Sequence, residues 1–128
     1  MNALHAIHEA LAAGGLVIDT QPVSARPPVE AGGAVRGTLD MSAWRATIDA
    51  VDRRVDEVID EGLFALNTER RFIVTDTYDS GAELVESVSG WQGTRISRAL
   101  TRRVTAAAPP AAVHQQVRLR LLSSLRPR

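Results

Sequence analysis

Apolar positions recur along this chain at two periods, and the switches between them mark its elements. Leu4, Ile7, His8 and Leu11 fall at spacings of three and four, which predicts an amphipathic helix at the amino-terminal end. Gly14-Gly15 stops it, because glycine takes the left-handed cap conformation without a Cβ clash. Leu16, Val17 and Ile18 form a short apolar run closed by Pro22, the pattern of a buried strand. Residues 23–38, VSARPPVEAGGAVRGT, are rich in Pro, Gly and Ala and read as a loop, with room for a small hairpin turning at Gly32-Gly33.

The second helix is the plainest element. Asp40 is a good N-cap for it. Met41, Trp44, Ile48, Val51, Val55, Val58 and Ile59 make one apolar stripe, acids and arginines fill the remaining positions, and Gly62 is the stop. Residues 71–78, RFIVTDTY, have strand composition. Ser80 and Glu83 fit a capping box at the start of a short helix that carries Leu84, Val85 and Val88, with Trp91 beside them. Ile96, Leu100 and Val104 repeat every four residues and predict a further helix from about Ile96 to Ala107, ended by Pro109-Pro110. Finally VHQQVRLRLL alternates. Val113, Gln115, Val117, Leu119 and Leu121 are expected on a buried face, and His114, Gln116, Arg118, Arg120 and Leu122 on a polar one, a pattern most comfortable in antiparallel pairing.

Two stretches carry a resemblance. ALHAIHEALAAGGLVIDTQP at residues 3–22, and FIVTDTYDSGAELVESVSGW with the later basic strand VRLRLL, resemble the later half of the Rossmann-like S-adenosylmethionine-dependent methyltransferases. There a helix of the type L..IH..L..GG leads into the fifth strand of the sheet. The resemblance implies helix, fifth strand, helix, sixth strand, then a seventh strand inserted antiparallel between the fifth and sixth. The expected fold is therefore α/β or α+β: a three-stranded mixed sheet in the order first, third, second, with 113–122 in the middle and helices packed on it. Residues 1–128 are expected to form a single domain.

That family binds its cofactor through a Gly-rich turn after the first strand and an acidic residue at the end of the second. Gly14-Gly15 lies between helix and strand, the reverse of that order, and Gly32-Gly33 has no G-x-G-x-x-G pattern. The resemblance thus carries no cofactor-binding residue onto this sequence, and the chain alone is expected to hold no cofactor and to transfer no methyl group. It starts where the second half of such an enzyme would start, so Met1 is expected to be either an internal methionine of a split or truncated enzyme or the start of a descendant module. The partner expected is a second copy or the missing amino-terminal half.

Composition narrows the chemistry further. With 128 residues and 45% hydrophobic content the chain is long and apolar enough for one modest core. Cysteine is absent, which removes disulfides and thiolate metal sites. No apolar run approaches a membrane span of roughly 20 residues, and no basic region precedes an apolar one at the amino terminus, so the expected location is cytoplasmic. All fifteen basic residues are arginine, which excludes a lysine base, Schiff base or phosphate-loop lysine and suits a GC-rich bacterial genome. From residue 95 on there are eight arginines and no acid, giving +8; residues 1–94 hold seven arginines against fifteen acids, giving −8.

Asp19, Thr20 and Gln21, at the carboxyl end of the first strand, are the candidate substrate-binding residues, because ligands of open α/β sheets gather at that end of the strands. His5, His8 and Glu9 share a helix, but zinc needs ligands converging from more than one element, so no metal site is expected. Asp76 and Asp79 flank Tyr78 in a turn where aspartate bonds its own backbone. No Ser-His-Asp or Cys-His set has a spacing signature, and no catalytic residue is assigned. The tail arginines suggest a nucleic-acid surface. However, no aromatic residue interleaves with them, and the acidic helix from Asp49 to Glu61 offers them an internal partner.

Overall fold

The computed structural model describes residues 3–125. The elements run α1 (Ala3–Ala10), β1 (Leu16–Pro22), β2 (Pro28–Ala31), β3 (Ala34–Thr38), α2 (Ser42–Asp60), β4 (Phe64–Tyr78), α3 (Gly81–Ser89), α4 (Arg98–Ala106) and β5 (Ala111–Ser124). The five strands make one open sheet in which β5 pairs with β1, β2 and β4, and β2 pairs with β3. Two strands are added to the three expected. Residues 23–27 are irregular, and 28–38 form the small hairpin for which the sequence leaves room: β2 and β3 pair antiparallel and turn at Gly32-Gly33, and Val29, Glu30 and Ala31 pair with Val113, Ala112 and Ala111 of β5. Both turn glycines have positive φ, +61° and +80°, which suits a tight hairpin.

β5 runs antiparallel to its neighbours, as expected, and the sheet as a whole is antiparallel where a mixed one was expected. Gly14 N donates to Ser124 O at one end of the β1–β5 ladder and Val23 N donates to Gln116 O at the other, so the two strands run in opposite directions. Among the described residues β1 and β4 each pair with β5 and not with each other.

The described residues divide into two compact units. One takes the residues up to Gln21, Ile48–Arg71 and those from Arg118 on; the other takes Pro22–Thr47 and Phe72–Val117. In the first, Val55, Val58, Phe64 and Leu122 form the buried cluster, with Leu4, Leu11, Val17, Val51, Ile59 and Leu63 packed around it. The α2 stripe thus lies on the core as its period predicts. His8 is buried, its Nε2 donates to Leu125 O (2.6 Å), and its ring meets Phe64 edge-on at 5.4 Å. In the second unit, β2, β5, α3 and α4 enclose Val29, Leu39, Leu84, Leu100, Val104 and Val113. Ser80 caps α3 by accepting from Glu83 N, while Glu83 Oε2 accepts from Asp79 N, so the capping box closes one residue earlier than its usual form. Ser97 caps α4 by accepting from Leu100 N.

The alternation of β5 holds, but its buried side changes. Val113, Gln115 and Val117 are buried as expected; beyond them it is Arg118, Arg120, Leu122 and Ser124 that are buried, and Leu119 and Leu121 are half-exposed. The expected polar face of residues 118–122 is therefore the inner one. Carboxylates brought by β1 and α2 make that burial possible. Among the described residues no helix is long and apolar enough to cross a membrane.

Candidate functional site

Both units carry concave sites. In the second unit a pocket of about 360 Å³ is walled by Pro22, Met41, Trp44 and Trp91 and edged by the polar Gln92, Thr94 and Gln115. Its parts come from four places: the last residue of β1, the start of α2 with Met41 just before it, the segment after α3, and Gln115 of β5. They are held firmly. Trp44 Nε1 donates to Pro22 O (3.0 Å) and Arg45 Nη1 to Val23 O (3.0 Å), which ties the start of α2 to the chain leaving β1. Trp44 N donates to Gly93 O, and Trp91 N to Val88 O. Gly93 has φ +67°, and a Cβ there would meet the backbone of Trp44 at 2.7 Å, so only glycine lets this segment lie so close to the helix start. The floor residue, Gln115, is 8% exposed, and its Nε2 donates to Asp76 Oδ2 (3.1 Å).

At the start of α2, Asp40 Oδ1 accepts from Ser42 Oγ (2.6 Å) and Ser42 N (3.0 Å). The Ser42 hydroxyl, then its backbone N–H, hold the Asp40 carboxyl below the usual carboxylate range, helped by the charges of Arg26 and Arg95. Asp40 thus ties down a free N–H of the first turn from the position before the cap, since it is Met41 O that accepts the first intrahelical bond, from Arg45 N.

The first unit holds a buried chain of charges. Arg118 Nη1 and Nη2 donate to both oxygens of Asp52 (3.0 and 2.6 Å). Arg120 Nη2 donates to Asp52 Oδ1 (3.0 Å) and Asp19 Oδ2 (3.1 Å). The hydrogen bond to Asp52 raises the affinity of Arg118 for its proton against the cost of burial. Arg118 Nε is buried without a hydrogen-bond partner, with Glu69 at 3.9 Å. Beside this chain runs an apolar groove of about 420 Å³ lined by Leu4, Ile7, Val17, Val51, Val55 and Leu122, with Asp19 and Arg54 as its charged members.

Of the three strand-end candidates the structure brings Asp19 and Gln21 together and sets Thr20 apart. Asp19 faces Arg120, and Gln21 Nε2 donates to Asp19 Oδ1 (3.1 Å). Thr20 alternates to the other side of β1 and is exposed. His5 reaches Glu61 (2.9 Å) while His8 turns inward to Leu125 O, so the two histidines part. Among the described residues no group of three or more metal-type side chains converges. Asp76 is taken up by Gln115. Of the tail arginines, Arg118 and Arg120 are paired with carboxylates and Arg103 Nε donates to Arg36 O, while Arg95, Arg98 and Arg102 are exposed.

Sequence reasoning missed two groupings. The tryptophan pocket joins residues far apart in the chain. The other is a row across three strands, in which His114 bonds Glu30 Oε2 through Nε2 (2.8 Å) and Thr75 Oγ1 through Nδ1 (2.9 Å). A carboxylate, an imidazole and a hydroxyl in that order can relay a proton, but here the residues are partly exposed, and their bonds clamp β2, β5 and β4 side by side. The one sequence signal for the pocket is Gln115, a lone amide between Val113 and Val117 on a buried face. No known protein family matches the chain, and no characterised protein or solved structure matches it.

Proposed function

We propose that this chain is a methyltransferase-like module, akin to the carboxyl-terminal half of a Rossmann-like S-adenosylmethionine-dependent methyltransferase, that works as an oligomer or with a partner supplying the cofactor-binding half. The observation that carries the reading is the setting of β5, a long antiparallel strand with β1 on one side and β4 on the other. That is the place of the inserted seventh strand in the resemblance. The helices before and after β1 in that scheme, α1 and α2, supply side chains to one cluster with Val17 and Leu122.

The glycines are committed elsewhere than to a phosphate or a methionine. Gly14 N donates to Ser124 O, and Gly32 N to Pro110 O. Neither pair opens a helix after a strand, the geometry that aims several free amides at a ligand. Methyl transfer would therefore need residues from a second polypeptide segment. In calorimetric titration this chain alone should give no S-adenosylmethionine binding; a one-to-one site of micromolar affinity overturns the proposal. The native assembly isolated from cells should bind the cofactor only where it contains a segment with a Gly-rich strand-to-helix turn. Its absence from an assembly that does bind the cofactor also overturns it.

A further inference from the structure

We propose that the Trp44–Trp91 pocket is a binding site for a neutral, flat heteroaromatic ring that carries one N–H donor. The inference is independent of the methyltransferase reading, since it uses only the walls and floor of this pocket.

Both tryptophans of the chain border the same cavity, and both are half-buried. Packing against the core cluster accounts for part of each indole. It does not account for Gln115. A polar side chain on a buried strand face is costly unless its hydrogen bonds are made. The Asp76 carboxylate satisfies the amide nitrogen, and because a carboxylate only accepts, it fixes which end of the amide faces it. The carbonyl oxygen, Oε1, is then the acceptor that this pocket-lining residue can offer a ligand.

The walls determine the class of ligand. Met41, Pro22 and the two indoles present apolar and π surfaces, and no residue lining the pocket is charged. Flat rings are favoured by indole walls through stacked or edge-on contacts. The indole of Trp44 cannot serve as a donor to the ligand, since its N–H is held by Pro22 O. A volume of about 360 Å³ is near the low end of small-molecule sites, which suits one fused ring system. The close approach of Gly93 to Trp44 sets the walls before any ligand arrives, so little ordering is lost on binding.

The two indole N–H groups give the readout, since the chain has only two tryptophans. Unlabelled indole is titrated into the 15N-labelled full chain, beside benzofuran, which has the same shape with no N–H. Indole should shift both Trp44 and Trp91 signals along one saturating curve. Benzofuran should bind about tenfold more weakly, the worth of one hydrogen bond. Trp91→Leu, with its amide spectrum still dispersed, should weaken indole binding at least several-fold while Trp44 still reports. The absence of a saturating shift up to about 10 mM indole, beyond the millimolar affinity expected of a fragment, overturns the site. Equal affinity for the two rings overturns the role of Gln115.

Discussion

Arg118 is the residue at which local pattern and final structure part company. By alternation it belongs to the polar side of its strand, and arginine is rarely buried unless paired. Asp52 and Asp19 supply that pairing from α2 and β1, so two arginines enter the core side and Leu119 and Leu121 are displaced to the open side. The reversal could not be read from the sequence, because it depends on carboxylates far away in the chain. The network also predicts an asymmetry. Asp52→Ala leaves Arg118 buried without a hydrogen-bonded carboxylate and should cost about 3 kcal/mol. Arg118→Met leaves Asp52 still paired with Arg120 and should be near neutral. Equal losses in denaturant melts of the two variants would show that the pair acts as a surface contact. Asp40 behaves differently, for its carboxyl is held below its ordinary range by Ser42. A lowered folded value means that its contribution is full above the unfolded pKa and fades as pH falls through the folded one. The stability difference between wild type and Asp40→Asn should therefore be present at neutral pH and close in acid. A gap undiminished between neutral pH and pH 2, which lies below the unfolded value of about 3.9, would contradict this role.

At the scale of elements, helices and their caps were legible because they are local. Ser80 and the stripe from Met41 to Ile59 stand as their spacing predicts, and Asp40 bonds the first turn of α2 from one position earlier than expected. Strands were legible in their cores only. β4 begins at Phe64, seven residues before the expected Arg71, since Asn67, Glu69 and Arg70 have weak strand preference and are extended only by pairing with β5. The β2 residues Pro28–Ala31 are too few and too rich in turn formers to announce a strand, and β5 again supplies the reason. The candidate site was the least legible of all, for Trp44 and Trp91 each satisfy a helix pattern before they meet. Helix packing contributes a prediction of its own. A Cβ on Gly81 would collide with the Val104 carbonyl, so α3 and α4 touch through bare backbone. Gly81→Ala should destabilise by about 1–3 kcal/mol, the range for overfilling a packed contact. A melt unchanged from wild type would mean that α3 can slide away from α4 freely.

For the whole molecule, the open side of the first unit matters most. Leu16 and Ile18 are 55% and 67% exposed, and by alternation they share a sheet face with Leu119 and Leu121. Among the described residues β1 has β5 as its strand partner and no second neighbour. An unpaired edge beside apolar side chains invites another chain. A two-fold dimer is the simplest cover, and sedimentation at micromolar concentration should give twice 13.8 kDa or more. A monodisperse, cooperatively folding monomer would refute the need for a partner. If a second copy does close the Leu16–Ile18 face, folding and association become one equilibrium, and stability turns into a property of the solution as well as of the chain. Each tenfold dilution then removes about 1.4 kcal/mol of apparent stability. The melting temperature should fall by a few degrees with every such step, and a protein scarce in its cell would spend part of its time unfolded for want of its own kind.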